Sequence, residues 1–431
     1  EDGPIFCFAV IITCAAAVCQ PNPSAQYEIK IEKMVALRWY IRSLTAVYTC
    51  AIIKPTKSIG LFLEGVTTPM EPGAGVLIAM SGGVDSSVAA YLLLEQGRHC
   101  AGATMRLYRN EDIGLPRFHS CCAQQDIEDA AEVAFQLDIP HRVLDLTAEF
   151  REQVIQRFVQ GYERGDTPNP CIDCNRYLKF DRLLHIARQE GLVYLATGHY
   201  ARIVYDRSTG RYLLKKAADT HKDQSYVLYS MTQEELSHVL FPLGEMRKTE
   251  TRRIAEENGF VNSHKPDSQD ICFVPDGDYV SFMEQYTGKH YPEGDFLDEN
   301  GNVIGRHRGI VRYTIGQRRG LGIAAGQHVY VYKKDIENNT VYVGAEEKLY
   351  TKHLTAGDVN WIAFDKPNFT IRVSAMTRYR HKEQPATLYP NADGTVSVEF
   401  DEKQRAVTPG QAVVFYDGDT VVGGGTIIEA H

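Results

Sequence analysis

The sequence lacks an excess of positive charge. Its 431 residues contain 46 Lys and Arg against 55 Asp and Glu, so the formal net charge is -9. A chain with this balance has no global basic field to attract a polyanion. Any contact with nucleic acid must therefore use local basic patches.

The sequence also lacks the cysteine density of a small secreted scaffold and an apolar run long enough to cross a bilayer. Its 10 cysteines are scattered over the chain, which favours a reducing compartment and thiols that are reactive or buried. The apolar run from Ile5 to Cys19 is short and follows Glu1 and Asp2, where a signal peptide would carry basic residues. We therefore expect a cytoplasmic protein that makes no membrane contact.

What the chain does contain is a regular alternation of apolar runs and amphipathic segments from Gly75 onwards. The segments GVLIAM, SGG and SSVAAYLLLEQG predict strand, loop and helix, and later segments repeat this order. Such alternation indicates a parallel, doubly wound sheet of the α/β class. A later helix opens with a capping box at Thr232 and Glu235. Beyond Gly301 short alternating strands predominate, and the last stretch predicts a hairpin around Asp417.

These changes of pattern predict several domains. With 44% hydrophobic residues, the chain has enough apolar material for two or three cores. Met70 stands just before the first strand, so we expect residues 1–73 to form a non-catalytic N-terminal extension. We further expect an α/β catalytic domain over 74–280, a small connecting domain over 281–350 and a β-barrel-like domain over 351–431.

The turn SGGVDSS at residues 81–87 differs from a Walker loop because no lysine precedes its serines. Gly82 and Gly83 allow backbone N–H groups to approach a pyrophosphate, and Ser86 lies at a helix N-terminus that favours an anion. Asp85 would act through a bound Mg2+, because a bare carboxylate repels phosphates. Taken alone, the motif is equally consistent with a glycine turn that only starts a helix.

Motifs elsewhere in the sequence distinguish a phosphate-binding loop from a glycine turn that only starts a helix. After a strand, SGGVDSS resembles the pyrophosphatase loop (PP-loop) of the N-type ATP pyrophosphatases, which split ATP to AMP and pyrophosphate and so adenylate a substrate oxygen. Further stretches follow in order, namely TPNPCIDCNRYLKF, ATGHYAR, KDQSYVLY, DSQDICFV, and MTRYRH with TPGQ. Together they resemble the tRNA-specific 2-thiouridylases from Gly75 to Glu429. The resemblance implies that ATP adenylates the C2 oxygen of the tRNA wobble uridine, after which sulfur replaces the oxygen and AMP departs.

The resemblance assigns roles to individual residues of this sequence. It implies that ATP is bound by Ala79, Met80, Ser81, Gly82, Gly83, Val84, Asp85, Ser86, Met105 and Gly198. It implies tRNA contacts at Asn169, Pro170, Cys171, His199, Lys222, Asp223, Gln224, Arg378, Tyr379 and Gln411. Without the resemblance, the second group would be interpreted as a structural histidine, a solvated turn and an exposed strand edge.

The resemblance also assigns the sulfur chemistry to two cysteines. It implies that Cys272 carries the incoming sulfur as a persulfide, received from a sulfur-donor protein, and that Cys174 is the thiol that attacks it. Two thiols are needed because one presents a terminal sulfur to the activated carbon. The second closes a disulfide that releases the transferred atom. With Asp85, these cysteines are the expected catalytic residues, and the alternative is two unrelated buried thiols.

Cys171 departs from the pattern of many family members, which carry an aspartate at this position (N-P-D-x-x-C). A thiol cannot reproduce the two acceptor oxygens of a carboxylate, so the acid–base role expected here is open. Cys171, Cys174 and Cys272 are also candidate ligands of an iron–sulfur cluster that would hold exogenous sulfide, in which case no persulfide is required. Zinc is a third option, although a tightly held zinc would occupy the thiols that sulfur transfer needs.

The strongest local cluster of positive charge is RHRGIVRYTIGQRRG, residues 306–320. Arg318 and Arg319 are candidates to bind phosphates, and Tyr313 is a candidate to stack on a base. The same segment is equally consistent with a solvated face.

Two other functional classes compete with a thiolating enzyme. A ligating or amidating ATP pyrophosphatase would share the SGGVDSS loop but would not need the cysteine pair or the KDQSY and TPGQ motifs. A non-catalytic tRNA-binding protein would need neither the intact loop nor Cys174 and Cys272. We therefore expect an ATP-dependent tRNA uridine 2-sulfurtransferase that uses ATP and Mg2+, with an iron–sulfur cluster as the open alternative.

Overall fold

The computed structural model of the protein describes residues 71, 73–109, 122–267, 271–274, 277–323 and 328–431. The predicted N-terminal extension over residues 1–73 lies outside these residues, apart from Glu71 and Gly73. The remaining chain contains two open sheets and one closed barrel.

The first sheet has five parallel strands. They are β1 (Gly75–Ala79), β2 (Cys100–Arg106), β3 (His141–Asp145), β4 (Leu192–Ala196) and β7 (Val239–Leu240). Their order is β3-β2-β1-β4-β7. Side chains of β1 alternate between two cores, with Leu77 in one and Val76 and Ile78 in the other. Because both faces are covered, the strand is a continuous apolar run, and the predicted doubly wound α/β sheet is confirmed.

Helices cover this sheet and connect it to the rest of the chain. They are α1 (Val84–Glu95), α2 (Cys122–Gln136), α3 (Thr147–Phe150), α4 (Arg157–Glu163), α5 (Pro170–Asp173), α6 (Leu183–Gln189), α7 (Gln233–His238), α8 (Lys248–Glu257) and α9 (Tyr279–Thr287). Two π-helical segments, Arg151–Gln156 and Cys174–Arg182, continue α3 into α4 and α5 into α6. The capping box predicted at Thr232 and Glu235 is present at the start of α7. None of the described helices is both long and apolar enough to cross a membrane.

A second, smaller sheet follows. Its strands are β8 (Gly294–Leu297), β9 (Val303–His307), β10 (Tyr330–Asp335) and β11 (Thr340–Gly344), in the order β10-β11-β8-β9. Its core is continuous with the helices that precede it, because Phe296 and Val331 share one buried cluster with Phe150 and Phe158. This sheet is therefore packed against the α/β domain and is not a free module.

The last part of the chain closes into an antiparallel barrel. Its strands are β12 (Tyr350–Trp361), β13 (Ile371–Met376), β14 (Gln384–Pro390), β15 (Val396–Arg405), β16 (Ala412–Asp417) and β17 (Thr420–Ala430). Their order is β12-β15-β14-β13-β16-β17, and pairing of β12 with β17 closes the ring. Alternate residues such as Val396, Val398 and Phe400 fill the interior. The predicted barrel is confirmed, as is the hairpin between β16 and β17, whose turn uses Gly418 at φ +59°.

A hairpin from the first half of the chain joins the barrel. It consists of β5 (Arg202–Asp206) and β6 (Arg211–Lys215), and Lys215 pairs with Thr420 of β17. Just beyond the hairpin, the buried Tyr226 donates its hydroxyl to the carbonyl of Ala412 at 2.8 Å. The barrel is thereby held against the segment that follows β6, which contains the KDQSY motif.

The strand order creates a crevice at the carboxyl ends of β1 and β4. From β1 the chain proceeds to β2 and β3 on one side and returns to β4 on the other. At such a switch point the loops after the two neighbouring strands diverge and leave space outside their carboxyl ends. The loops after β1 and β4 are SGGVDSS and TGHY, so the fold places both motifs at one crevice.

Candidate active site

The SGGVDSS loop lies between β1 and α1, with Gly83 as the N-cap of the helix. Gly82 has φ +74°, and a Cβ atom at this position would lie 2.1 Å from the carbonyl oxygen of Asp126. Only glycine satisfies both constraints. The loop is therefore pressed against the first turns of α2.

Serine hydroxyl groups hold the loop in shape. Ser86 Oγ accepts a hydrogen bond from the Ser81 backbone N–H at 3.2 Å and donates to the Gly83 carbonyl at 2.9 Å. Ser87 Oγ also donates to Gly83, at 3.3 Å, and accepts from the Asn262 amide at 2.9 Å. These bonds organise a concave backbone at a helix N-terminus, which is a favourable environment for phosphate.

Gly198 places the β4 loop in direct contact with this backbone. A Cβ atom at Gly198 would lie 2.7 Å from both the Asp85 carbonyl carbon and the Ser86 backbone nitrogen. Next to it, Thr197 Oγ1 and His199 Nδ1 are 2.7 Å apart. Burial holds the pKa of His199 well below its ordinary value, so its imidazole is neutral and serves as a hydrogen-bonding group.

A positive charge beside the loop comes from Lys248, which sequence reasoning missed. Its ammonium group lies 2.7 Å from both carboxylate oxygens of Asp85, and Tyr200 donates its hydroxyl to the same carboxylate at 2.9 Å. Lys248 is only 8% exposed. It is also the first residue of α8, directly after Arg247. Two cations oppose the dipole at a helix N-terminus, and this local conflict was the available signal of a functional role.

Asp267 connects the PP-loop to the KDQSY motif. Its carboxylate lies 2.8 Å from Lys248 Nζ, 2.8 Å from Lys222 Nζ and 3.0 Å from a guanidinium nitrogen of Arg252. Burial alone would raise the pKa of Asp267, but hydrogen bonds from Lys222 and Lys248 lower it to about 2. An unbroken chain of ion pairs thus runs from Asp85 through Lys248 and Asp267 to Lys222. Asp267 also lies shortly before Cys272 in the chain.

Cys174 and Cys272, the two cysteines predicted to act in sulfur transfer, lie near Cys171. Cys171 is in α5, which begins at Pro170 and is capped by Asn169, whose side chain accepts from the Cys171 backbone N–H at 3.1 Å. Cys174 begins the π-helical segment. All three thiols are free. Cys171 and Cys272 are exposed and Cys174 is partly exposed, so incoming groups have access to them.

The surrounding protein disfavours the charged form of each of these thiols. Although Cys171 is exposed and Cys174 is partly exposed, the protein around both sulfur atoms reduces their solvation and raises the pKa of each thiol, and the nearby charge of Lys179 opposes this effect. Burial also raises the pKa of Cys272, and the charges of Cys174 and Cys171 raise it further. The mutual influence shows that the fold brings Cys272 to the C-x-x-C pair. At neutral pH the three groups are mainly protonated.

The thiols and the carboxylates of the site differ in their fit to a metal. Within the described part of the chain, no group of three or more His, Cys, Asp and Glu side chains is placed to hold a metal ion. The three thiols as they stand therefore do not form a ligand set for iron or zinc. The carboxylate of Asp85, beside the phosphate loop, is of the type that binds Mg2+.

The KDQ residues hold the turn that lies beside the thiols. Asp223 accepts hydrogen bonds from the Ala217 backbone at 2.8 Å and from Ser225 Oγ at 2.6 Å. Gln224 accepts from the Tyr200 backbone at 2.9 Å. These two side chains shape the turn, whereas Lys222 forms the ion pair with Asp267. Their predicted tRNA contacts stay predictions.

Two barrel residues from the predicted set reach the same region. Tyr379 donates its hydroxyl to the Asp223 carbonyl at 3.4 Å and its ring lies 5.8 Å from that of Tyr226. The buried Gln411 donates its amide to the Thr167 carbonyl at 2.6 Å. Gln411 therefore holds the TPNPC loop against the barrel. Met105, at the end of β2, is partly buried and packs beside Leu144.

One element of the basic-cluster hypothesis is wrong. Tyr313 is buried, with ring centroids 5.1 Å from Phe296 and 5.6 Å from His307. It is a core residue of the small sheet and is not available to stack on a base. Arg318 and Arg319 are exposed, so their proposed phosphate contact stays a prediction.

Family models match three consecutive segments of the chain. Residues 74–276 match a family model described as the tRNA methyl transferase HUP domain, residues 280–345 match the tRNA methyl transferase PRC-barrel domain, and residues 351–427 match the aminomethyltransferase beta-barrel domain. Among solved structures, a 4-thiouridine synthetase in complex with RNA and ATP is 19% identical, with a TM-score of 0.30, over 50% of this chain and 51% of that chain.

This chain matches curated relatives over nearly their whole length. A tRNA-specific 2-thiouridylase MnmA of Acetivibrio thermocellus is 52% identical over 353 residues, which cover 82% of this chain and 98% of the relative. Proteins of the same name from Clostridioides difficile and Symbiobacterium thermophilum are 49% and 50% identical, over 82% of this chain and 97% and 92% of their own lengths. The chain therefore belongs to the tRNA-specific 2-thiouridylase family.

Proposed function

We propose that the protein catalyses the ATP-dependent 2-thiolation of the wobble uridine of tRNA. The observation that carries the proposal is the chain of ion pairs from Asp85 to Lys222 through Lys248 and Asp267. It joins an ATP pyrophosphatase loop to the turn beside three accessible thiols. An ATP ligase with a small acceptor would not require this connection.

The PP-loop binds the triphosphate of ATP. Backbone N–H groups at the start of α1 point toward the phosphates, and Lys248 supplies the positive charge. Asp85 is the residue that would hold Mg2+, which would neutralise charge on the departing pyrophosphate. Gly198 leaves room for the loop to keep this shape, because any side chain there would collide with it.

Adenylation makes the C2 oxygen of the uridine a leaving group. The oxygen attacks the α-phosphorus of ATP, the bond between the α-phosphorus and the bridging oxygen breaks, and pyrophosphate departs. Lys248 stabilises the negative charge that develops on the phosphates, and the fixed loop dipoles do the same. The activated carbon is then open to a sulfur nucleophile.

Sulfur transfer uses two cysteines in sequence. Cys272 receives a persulfide sulfur from a donor protein, and its terminal sulfur attacks C2 while AMP leaves. The Cys174 thiolate then attacks the inner sulfur of Cys272, which forms a Cys174–Cys272 disulfide and releases the thiolated uridine. A thiol reductant must restore both cysteines before the next cycle. The raised pKa of each thiol keeps it protonated between reactions.

An iron–sulfur route remains the alternative for the sulfur step. It would require Cys171, Cys174 and Cys272 to converge on one cluster. The described side chains are not placed as a ligand set for iron. Anaerobic purification with iron and acid-labile sulfide analysis distinguishes the two routes. Iron and sulfide that are lost together in Cys171→Ala, Cys174→Ala and Cys272→Ala variants would favour the cluster.

The function is tested by separating its two half-reactions. We expect wild-type protein with a persulfide donor to release pyrophosphate only when tRNA is present and to form 2-thiouridine, detected by mass spectrometry of nucleosides. Cys174→Ala should lose thiolation to background yet retain tRNA-dependent pyrophosphate release, because adenylation precedes the thiol step. Cys100→Ala is the matched control, since Cys100 is buried in β2, away from the reaction. Pyrophosphate release that ignores tRNA would contradict the proposal.

A further inference from the structure

The carbonyl group of Gly82, inside the SGGVDSS loop, accepts hydrogen bonds from two side chains of a distant segment. The Asn262 amide nitrogen lies 3.1 Å from the Gly82 carbonyl oxygen, and the Lys265 ammonium group lies 3.3 Å from the same atom. Both donors follow α8 and are 180 and 183 positions from Gly82 in the chain. Neither belongs to the motifs that predicted the site. Two donors on one carbonyl fix the direction in which it points.

Each donor is anchored by a second contact. The Asn262 amide also donates to Ser87 Oγ in α1 at 2.9 Å. The Lys265 ammonium group lies 2.6 Å from a carboxylate oxygen of Asp126 and 2.5 Å from one of Asp129, both in α2. Burial alone would lower the pKa of Lys265, but hydrogen bonds with the two carboxylates raise it, so the group is charged at neutral pH. The two side chains therefore connect the loop to both neighbouring helices.

The segment that carries both donors is held in place as well. One guanidinium nitrogen of Arg252 in α8 lies 3.1 Å from the carbonyl oxygens of Ser263 and Lys265. Asn262 is 2% exposed, and its own amide oxygen has no hydrogen-bond partner among the described residues. An apolar residue of similar size would avoid the cost of that unpaired oxygen. The presence of an asparagine here therefore points to a need for its amide donor.

The peptide that these donors hold has unusual freedom because glycine stands on both sides of it. Gly82 has φ +74°, and Gly83 has φ -92°. Half a turn of the peptide plane between them would bring φ of Gly83 to about +90°, a region that is open to glycine and unfavourable for residues with a side chain. Steric effects alone thus do not select the orientation of this peptide. The hydrogen bonds from Asn262 and Lys265 select it.

We propose that Asn262 and Lys265 are positioning residues that direct the Gly83 N–H toward the pyrophosphate of ATP. In a trans peptide the N–H points away from the C=O. A Gly82 carbonyl that is held by Asn262 and Lys265 therefore directs the next N–H to the opposite side of the loop. That N–H adjoins the N-terminus of α1, where an anion is favoured. The inference rests on the proposed function and adds to it the selection of ligands that carry a pyrophosphate.

The two halves of ATP provide the test. Affinities for inorganic pyrophosphate, AMP and the non-cleavable analogue α,β-methylene-ATP are measured by calorimetry with Mg2+ and without tRNA. We expect Asn262→Ala to bind pyrophosphate and the analogue about tenfold more weakly, because a hydrogen bond to a charged group is lost. It should bind AMP within about twofold of wild type. Asn258→Ala is the matched control, since the Asn258 amide donates to the Ile254 carbonyl of its own helix, and it should leave all three affinities unchanged.

A substitution at Gly83 separates peptide orientation from a general loss of packing. The nearest atom to a Cβ at Gly83 would be Ser81 Oγ at 3.5 Å, so alanine fits the observed conformation and disfavours the reversed peptide. In a Gly83→Ala background, Asn262→Ala should therefore weaken pyrophosphate binding by less than about threefold. Lys265→Arg keeps a charged donor beside both carboxylates and should bind pyrophosphate within about threefold of wild type. Lys265→Met should resemble Asn262→Ala.

Other outcomes overturn the inference. Equal weakening of AMP and pyrophosphate binding would mean that Asn262 supports the whole nucleotide site. Unchanged pyrophosphate binding would mean that the peptide keeps its orientation without Asn262. A loss of about tenfold that persists in the Gly83→Ala background would exclude the peptide as its cause.

Thermal unfolding shows whether each variant is folded. If Asn262→Ala does not fold, Lys265→Met and Lys265→Arg provide the same comparison of pyrophosphate with AMP. The proposed function fails separately, because wild-type protein that binds pyrophosphate but forms no 2-thiouridine on tRNA would contradict that function and leave the positioning role intact.

Discussion

The two sides of the crevice differ in whether their basic side chains form ion pairs. On the ATP side, Lys248 and Lys265 are surrounded by carboxylates at 2.5–2.8 Å, and the loop is packed so tightly that Gly82 and Gly198 have no room for a side chain. On the RNA side, the thiols are accessible, and Arg380 and Lys382, which follow the predicted tRNA contact Tyr379 in the chain, have no described carboxylate partner. A small triphosphate can be bound by a preorganised site. A macromolecule requires an open surface whose charges are unpaired until it binds.

The largest expected effect comes from removing an ion-paired lysine on the ATP side of the crevice. Replacing Lys248 by Met removes the cation that faces the phosphates, and it leaves Asp85 and Asp267 without their shared partner. We expect pyrophosphate release at saturating tRNA to fall about 10²–10³-fold, the range found when one electrostatic donor is removed from an active site. Quenched-flow or coupled assays of pyrophosphate measure the change.

The control for this variant is Arg253→Met on the same helix, whose side chain is exposed and pairs only with neighbours in α8 among described residues. It should leave pyrophosphate release within about twofold. An equal loss in both variants would mean that the helix was damaged and that Lys248 has no special role. Unchanged tRNA affinity in Lys248→Met would confirm that the two sides of the crevice act separately.

A smaller effect is expected from Gly198→Ala. The new methyl group would lie 2.7 Å from backbone atoms of Asp85 and Ser86, so the PP-loop must move. We expect the KM for ATP to rise about tenfold, because a displacement of the loop weakens its contacts with the phosphates. Gly305→Ala, where the nearest atom would be 3.6 Å away, should leave the KM unchanged. A normal KM in Gly198→Ala would show that the loop adapts and is not preorganised.

The last expected effect concerns stability instead of activity. Lys334 in β10 has a buried ammonium group that finds no hydrogen-bond partner among the described residues, and burial lowers its pKa to about 8. Because the unfolded chain holds this proton more tightly, the free energy of unfolding should rise as the pH increases from about 8 to about 10. We expect a gain of about 2 kcal/mol in that range.

The gain should be absent in Lys334→Met, which should also be more stable than wild type at neutral pH because no charge is buried. Denaturant unfolding at a series of pH values measures both quantities. Lys333→Met is the control, since Lys333 is exposed on the same strand. A pH dependence that persists in Lys334→Met would assign it to another group.

The local features of the fold were predictable from sequence. The strand and turn at GVLIAMSGG, the capping box of Thr232 and Glu235, and the hairpin at Asp417 all depend on residues a few positions apart. The steric and hydrogen-bonding preferences of neighbouring residues are sufficient to specify such elements. The resemblance carried by the motifs also predicted the family and the expected site residues.

What the sequence by itself determined is therefore the set of strands, helices and turns, and the chemistry available in its motifs. Only the tertiary structure decided which distant groups meet. Lys248 reaches Asp85 across 163 positions of the chain, a hairpin from the α/β half extends the barrel, and Asn262 reaches Gly82 across 180 positions. Tyr313, a candidate from the sequence to stack on a base, is a core residue for the same reason. Such contacts are set by strand order and packing, since the energy of a charge depends on its spatial neighbours and not on its neighbours in sequence.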